Sequence, residues 1–517
     1  MQSIHFHYFA VAMNETSFDP TSPIPRGVAS EGRRESLRSA GASSAQGVAA
    51  GTEPAADGDE KLNMLLERIQ SLTRHAEDGG RGSDAKRTDP SEALGISPGE
   101  FAPVEPRSFA EAQLTDTEVE ALAMKFLLAR GEASGREVAE QIKLPFVLID
   151  EMLRRLKQEQ VVVHKGAAPM NDFIYQLTEL GRERARRYSA HCTYYGSAPV
   201  SLKDYIASVQ AQSLTCQHPQ PEDLRRAFAD LLVSERILHR LGPAVNSGRG
   251  LFLYGAPGNG KSSIAERITR AFGPTIWIPR ALGVDGEIIR LFDPVNHEEV
   301  PLASGQGLWD GRKVDRRWVR IRRPTIIAGG ELTMSALEVT LNTSTGICEA
   351  PLQLKSNCGT LVIDDFGRQR ISTHELLNRW IVPLEKRVDF LNLPNGKKIQ
   401  VPFDQLIIFS TNLEPRELVD EAFLRRIPYK IEVSDPTEEE FRALFRKMAE
   451  QLGCPYREEA IDYLIAKHYR TVGRPFRCCH PRDLMLQIAN YCAFTKRPLE
   501  MTPEYFDLAV ENYFSVM

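Results

Sequence analysis

The 517-residue sequence predicts an α/β fold: a parallel sheet sandwiched by helices, with a small helix-and-strand domain before it and a helical lid after it. Three observations predict this. An apolar run, GLFLYG, leads into GAPGNGKS and then into the amphipathic run SSIAERITRAFG, giving a strand, a glycine-rich turn and a helix. Two further apolar runs, GTLVIDDFG and QLIIFSTNL, end in polar residues, as buried parallel strands do at one edge of a sheet. Beyond residue 434 the periodicity is helical.

Residues 1–102 are rich in Ser, Gly, Ala, Pro and charge, and cannot bury enough apolar surface to offset their ordering entropy. Within them KLNMLLERIQSLTRHAE spaces Leu62, Leu65, Ile69 and Leu72 as a short amphipathic helix over 61–76. A domain is expected over 103–190. Its first helix, TDTEVEALAMKFLLARG, is capped by Thr115 or Thr117, and its second, SGREVAEQIKLP, is capped by Ser134 and stops before Pro145. FVLIDEMLRRLKQEQ is a third helix with Val147, Ile149 or Asp150, Leu153 and Leu156 on its period. The β-rich runs VVVHKG and FIYQLTELG and a basic helix, RERARR, complete the layout of a winged-helix domain, which the segment 114–187 resembles. Residues 191–220, with HCTYYGSAPVSLKDYIASVQAQ, are expected as a linker, 221–434 as alternating strands and helices, and 435–517 as helices.

Composition narrows the function classes. At roughly 150 residues per domain the chain holds about three units. An apolar fraction of 42% and a charged fraction of 26% are those of a soluble globular protein. The net charge of -5 gives no global basic field, so a nucleic-acid role would need a local patch. The eight cysteines include no C-x-x-C pair and read as idle or buried thiols of a reducing compartment. Cys478-Cys479-His480 has no partner cluster at zinc spacing. The N-terminal MQSIHFHYFAVAM lacks the basic start of a signal peptide, and no run approaches the ~20 apolar residues of a membrane span. A cytoplasmic protein without membrane insertion is expected.

The chemistry-bearing residues concentrate at the predicted strand ends. In G-x-x-x-x-G-K-[ST], Gly255, Gly258 and Gly260 let the loop of Gly255, Ala256, Pro257, Gly258, Asn259 and Gly260 wrap phosphates ahead of a helix N-terminus, through the backbone N–H groups of all but Pro257, which supplies only its fixed φ. Lys261 brings charge to the β- and γ-phosphates, and Ser262, followed by Ser263, offers a hydroxyl to Mg²⁺. Asp364 ends the strand LVI as a further Mg²⁺ ligand, and Asp365 is placed to orient and deprotonate a water. Substrate and cofactor are therefore expected to be ATP and Mg²⁺, with hydrolysis as the reaction. The long interval before Asp364 holds GRKVDRRWVRIRRP, which is either a loop for nucleic acid or a strand containing Trp318, Val319 and Ile321 with solvated arginines. In the winged-helix segment acids offset bases: Asp150, Glu151 and Glu159 oppose Arg154, Arg155 and Lys157, leaving RERARR as the best phosphate-contact candidate.

With GAPGNGKS, LVIDD, QLIIFSTNL, DEAFLRRIPYKIEV and HPRDLMLQIANY in this order, the chain from 221 onward resembles the AAA+ ATPases, a P-loop family. The resemblance implies that Asn412 is the sensor 1 amide positioning the lytic water. It also implies that Arg425 or Arg426 is an arginine finger acting on a neighbouring subunit, and that Arg482 is the sensor 2 arginine coupling ATP to rotation of the lid. A homo-oligomeric, hexameric ring follows from sites shared between subunits. One departure is Asp365, where the family usually has glutamate; the shorter side chain fits slow turnover. VEPRSFAEAQLTDTEVEAL, SAPVSLKDYIASVQAQS, GICEAPLQLKSNCGTLVIDDFGRQR and HPRDLMLQIANY resemble a bacterial group of winged-helix/AAA+ ATPases described as chaperone-like and linked with Flp-type pilus assembly. Remodelling of a protein client is thus the first functional expectation. A DNA-binding motor or regulator and a slow ATP-dependent switch are the alternatives.

Overall fold

A computed structural model describes residues 101–302 and 314–515. The helix expected over 61–76 lies outside them. Helix α1 (Asp116–Arg130) opens with a capping box between Thr115 and Glu118, so Thr115 rather than Thr117 is the cap. Strand β1 (Glu132–Ser134), helix α2 (Gly135–Ile142) and helix α3 (Phe146–Gln158) follow, α2 being capped by Ser134. Strands β2 (Val162–Ala168) and β3 (Asp172–Leu177) form an antiparallel hairpin to which β1 adds in the order β1-β3-β2. Thr178 then caps α4 (Glu179–His191), so TELG, expected within a β-rich run, instead opens a helix. The buried face of α3 is Ile149, Met152, Leu153 and Leu156; Val147, expected on it, is 73% exposed. One apolar core gathers these elements around Leu122, Leu153 and Tyr175.

The stretch expected as a linker is structured. It contains β4 (Val200–Ser201) and α5 (Leu202–Ala211), and the fully buried Tyr205 donates its hydroxyl to the Leu354 carbonyl and accepts from Asn357 Nδ2. Helices α6 (Pro221–Ala227) and α7 (Glu235–Asn246) lead into β5 (Leu251–Tyr254) and α8 (Lys261–Ile268). The chain then departs from the expected alternation. Strands β6 (Thr275–Pro279), β7 (Ala281–Val284), β8 (Glu287–Arg290), β9 (Trp318–Arg322), β10 (Thr325–Ala328), β11 (Thr340–Asn342) and β12 (Ile347–Glu349) follow one another without an intervening α-helix among the described residues. Helix α9 (Leu352–Lys355), β13 (Thr360–Ile363), α10 (Thr373–Lys386), the hairpin β14 (Val388–Asn392) and β15 (Lys398–Pro402), and β16 (Leu406–Thr411) come next. Two short helices, α11 (Pro415–Leu418) and α12 (Glu421–Leu424), precede β17 (Tyr429–Glu432).

The central sheet runs β10-β13-β16-β5-β17, and every pairing in it is parallel. Its strands are nearly continuous apolar runs because helices cover both faces. Successive side chains of β5 alternate between the two sides: Leu251 and Leu253 join a core with Leu241 and Ile264, while Phe252 joins Trp380 and Phe409. A second, mixed sheet runs β11-β12-β8-β7-β4, and β6 pairs with β9. The basic run belongs to this layer, with Trp318, Val319 and Ile321 buried in β9. The arginines of this run among the described residues have protein partners. Arg317 pairs with Asp315 at 2.8 Å and donates to the carbonyls of Ala112 and Pro199; Arg323 donates to Gly273 and Cys358; Arg316 and Arg322 pair with Glu140 and Glu298. The strand reading of this run describes it; the loop reading does not.

The chain ends in α13 (Glu438–Leu452), α14 (Glu458–Ile465), a π-helical turn (Ala466–Arg470), α15 (His480–Thr495) and α16 (Pro503–Phe514). They pack around Phe441, Phe445, Leu464, Met485 and Phe506. No helix among the described residues is long and apolar enough to cross a membrane.

Candidate functional site

The side chains of interest come from the carboxyl ends of three adjacent strands, β13, β16 and β5, where a parallel sheet leaves an open crevice. After Tyr254 the backbone turns sharply. Gly255 has φ +136° and Gly258 φ +83°, and an added Cβ would stand 2.5 Å from the Val433 carbonyl oxygen and 2.6 Å from Cys479 Sγ respectively. Neither position accepts a side chain. The turn ends at Gly260, from which α8 starts, so the helix N-terminus faces the crevice.

Lys261, 7% exposed, donates from Nζ to the carbonyls of Gly255 and Ala256, each at 3.0 Å, and to Asn412 Oδ1 at 2.6 Å. Burial lowers its pKa; Asp364 and Asp365 oppose that shift, and the nearby Arg477 adds to it. The Ser262 hydroxyl donates to Asp364 Oδ2 at 2.7 Å. Ser262 and Asp364 are thus within reach of one divalent cation, and a hydroxyl beside a carboxylate is the hard-oxygen set that Mg²⁺ prefers. Phe366 locks the end of β13: its N–H donates to the Ser410 carbonyl and its carbonyl accepts from Thr411 Oγ1. Between the anchored Asp364 and Phe366, Asp365 is exposed with φ +50°, a left-handed conformation that Asp tolerates better than most residues.

Lys261, Ser262, Asp364, Asp365 and Asn412 line a cavity of about 820 Å³ together with Pro257, Gly258, Asn259, Gly260 and Ser263. One side is apolar, formed by Val233, Ile237, Val433, Leu444 and Met448, so the crevice has a polar end and an apolar end. Gly255 and Ala256 turn their carbonyls to Lys261 instead of lining it. Arg482 lines the cavity, but its side chain is 62% exposed and paired with its neighbour Asp483. Arg425 and Arg426 do not line it. Arg426 bonds Glu385 at 2.7 Å, whereas Arg425, at the end of α12, is exposed and has no side-chain partner among the described residues.

Three participants escape a reading by motif. Asp435 lies just beyond Val433 and Ser434, which follow β17; it lines the cavity and accepts from Asn259 Nδ2 at 2.7 Å. Arg477 pairs with Asp435, and the Cys479 N–H donates to the Gly258 carbonyl at 2.9 Å. The only signal for them in the sequence is position: Asp435 stands at the expected boundary between core and lid, and Arg477 lies five residues before Arg482.

A family model described as Domain of unknown function (DUF8689) matches residues 437–512. No curated protein matches the chain. Among solved structures it is similar to NtrX from Brucella abortus in complex with ADP, at 14% identity and TM-score 0.34, covering 55% of this chain and 56% of that one. It is also similar to the RuvB Holliday junction branch migration motor of Thermotoga maritima, at 14% identity and TM-score 0.33, covering 57% and 74%. The chain thus spans little more than half of the NtrX chain. The parallel five-stranded sheet flanked by helices is the layered α/β core in which the cavity sits.

Proposed function

We propose that the chain is a Mg²⁺-dependent ATPase of AAA+ type that works as a homo-oligomeric ring, hexameric in the simplest form, to remodel a protein client. The single observation that supports this best is the convergence of two hydrogen-bonded pairs, Lys261 with Asn412 and Ser262 with Asp364, in one cavity at the mouth of a parallel sheet. Together they supply a cation for phosphates, a hard-oxygen pair and an amide that meets the same lysine.

In this reading the backbone from Gly255 to Gly260 cradles the phosphates of ATP, with Lys261 neutralising them and the apolar wall taking the base. Ser262 and Asp364 hold Mg²⁺, which supplies charge neutralisation on the phosphate oxygens when bound. Asp365 accepts the proton of the attacking water, and Asn412 orients that water. Arg425 is assigned as the residue that reaches a neighbouring subunit's site, since Arg426 is committed to Glu385 and Arg425 is free to extend. Arg482 joins from the lid side.

Residues 103–190 are assigned as a winged-helix domain, on the order of three helices, a three-stranded sheet and a further helix. A protein client is favoured over DNA because its basic residues face carboxylates: Arg154 pairs with Asp150, Arg155 with Asp116, Arg184 with Glu120 and Glu159, and Arg187 with Glu183. Such pairs leave little net charge to displace counterions from a phosphate backbone.

The deciding experiment is equilibrium binding of Mg-ATP and steady-state hydrolysis by the wild type and by Lys261→Ala. Loss of binding in the variant is expected, and retained tight binding would place the nucleotide elsewhere. Adding duplex DNA or an unfolded model protein to the hydrolysis assay separates the clients; stimulation by DNA that vanishes with salt would reverse the preference for protein.

A further inference from the structure

One carboxylate joins the phosphate loop to the lid. Asp435 Oδ1 accepts from Asn259 Nδ2 in the loop and from Arg477 Nη1 in the lid. Asn259 is 3% exposed, and its own Oδ1 accepts from the Cys478 N–H. With the Cys479 N–H bonded to the Gly258 carbonyl, residues 477–479 are fastened to the two residues that precede Gly260. Arg477 is placed very differently from Arg482. Its side chain is 20% exposed, and its Cβ lies 3.7 Å from where a Cβ on Gly258 would stand. Its guanidinium is turned onto Asp435, which lines the cavity although Arg477 does not. Its positive charge nonetheless registers at Lys261.

We propose that Arg477 is a phosphate-positioning residue that Asp435 holds beside the P-loop and that the phosphates of a bound nucleotide draw away from that carboxylate, fastening the lid to the nucleotide. The inference rests on the nucleotide-binding reading above. A guanidinium bonds carboxylate and phosphate oxygens with the same fork of donors, so the two acceptors compete for one partner. Asp435 is 40% exposed and its attraction is screened by solvent, whereas phosphates in the crevice carry more charge and lie beside the same loop. Asn259 keeps the carboxylate aligned for this exchange. Arg477 and Asp435 therefore act on nucleotide affinity with opposite signs, although they are two halves of one ion pair.

That difference in sign is the test. Mg-ATP affinity is measured by calorimetric titration of the full chain for the wild type, Arg477→Ala, Arg477→Lys and Asp435→Asn, with thermal unfolding without nucleotide confirming that each variant folds. Removing a charge-assisted bond to phosphate is expected to weaken binding about tenfold or more in Arg477→Ala, with part of the loss recovered in Arg477→Lys. Asp435→Asn, which keeps an oxygen for Asn259 but loses the charge, is expected to bind ATP more tightly. If Arg477→Ala does not fold, Arg477→Gln replaces it. Equal weakening by the Arg477 and Asp435 substitutions would describe a merely structural latch and overturn the proposal, as would unchanged affinity in Arg477→Ala. A wild type that binds no ATP would refute the nucleotide reading itself, so the two failures are distinguishable.

Discussion

At the scale of single residues, the site is a set of short bonds around two side chains. Lys261 meets three acceptors and Ser262 meets Asp364. Asp365 stands apart, exposed and in a left-handed conformation between two anchored neighbours. Asn tolerates that conformation as well as Asp does, so Asp365→Asn changes the carboxylate without straining the backbone. The variant is expected to bind Mg-ATP with near wild-type affinity while kcat falls by about 10²-fold or more, the usual contribution of a positioned base. Single-turnover hydrolysis checks this, and unchanged turnover would move the base to another group. The two adjacent arginines separate on the same kind of reasoning. Arg426 is bonded to Glu385 and its loss should lower the melting temperature, whereas Arg425→Ala should leave stability nearly unchanged and reduce turnover. Mixing Arg425→Ala with wild-type protein should reduce activity per wild-type subunit; a strictly additive mixture would rule out shared sites.

At the scale of elements, α15 begins against the cleft, and its first residue, His480, is 6% exposed and bonded to the Tyr469 hydroxyl. Burial, reinforced by Arg477 and Arg474, lowers its pKa to about 4. The unfolded chain, with a pKa near 6.5, binds the proton more readily, so His480 makes stability fall as pH drops from about 6.5 to about 4. The loss amounts to about 3 kcal/mol over that window. His480→Phe should flatten the dependence of melting temperature on pH relative to the wild type, even if it is less stable at pH 7. Parallel curves for the two proteins would mean that folding leaves the pKa of His480 unshifted. Element boundaries follow local chemistry closely where a cap exists, as at Thr115 and Ser134. They diverge where the cap was read as part of a strand, as at Thr178.

At the scale of the whole molecule, arginines that resemble a nucleic-acid patch in the sequence serve instead as internal ties. Arg317 and Asp315 are each 4% exposed, and the guanidinium spans carbonyls at Ala112 and Pro199, which are far apart in the chain. Arg317→Ala leaves Asp315 buried and unpaired and should cost about 3–5 kcal/mol. Chemical denaturation would register this as a lower midpoint, and an unchanged midpoint would mean that the pair contributes nothing net. Because its described arginines are engaged in such ties, the basic run should also give no steeply salt-dependent DNA affinity, which a filter-binding titration across salt concentrations checks.

The amino-acid sequence by itself determined the elements whose signal is local. The strand, turn and helix from 251 to 268 are written in an apolar run, in glycines with positive φ and in a lysine at the helix start. Asp364 and Asn412 are legible because each ends a strand too apolar to lie anywhere but inside a sheet. Tertiary structure alone decided the rest, because it depends on partners distant in the chain. The mixed sheet unites strands that no local pattern links; the segment expected as a linker joins it where Val200 and Ser201 pair with Leu282 and Gly283, and Tyr205 ties its helix to Asn357 and Leu354 about 150 residues away. Asp435 and Arg477 carry no motif; Asp435 joins Asn259 to Arg477 only once the C-terminal helices lie against the glycine-rich turn. Periodicity and turn chemistry act over a few residues, whereas the pairing of buried polar groups is settled by which surfaces the chain brings together.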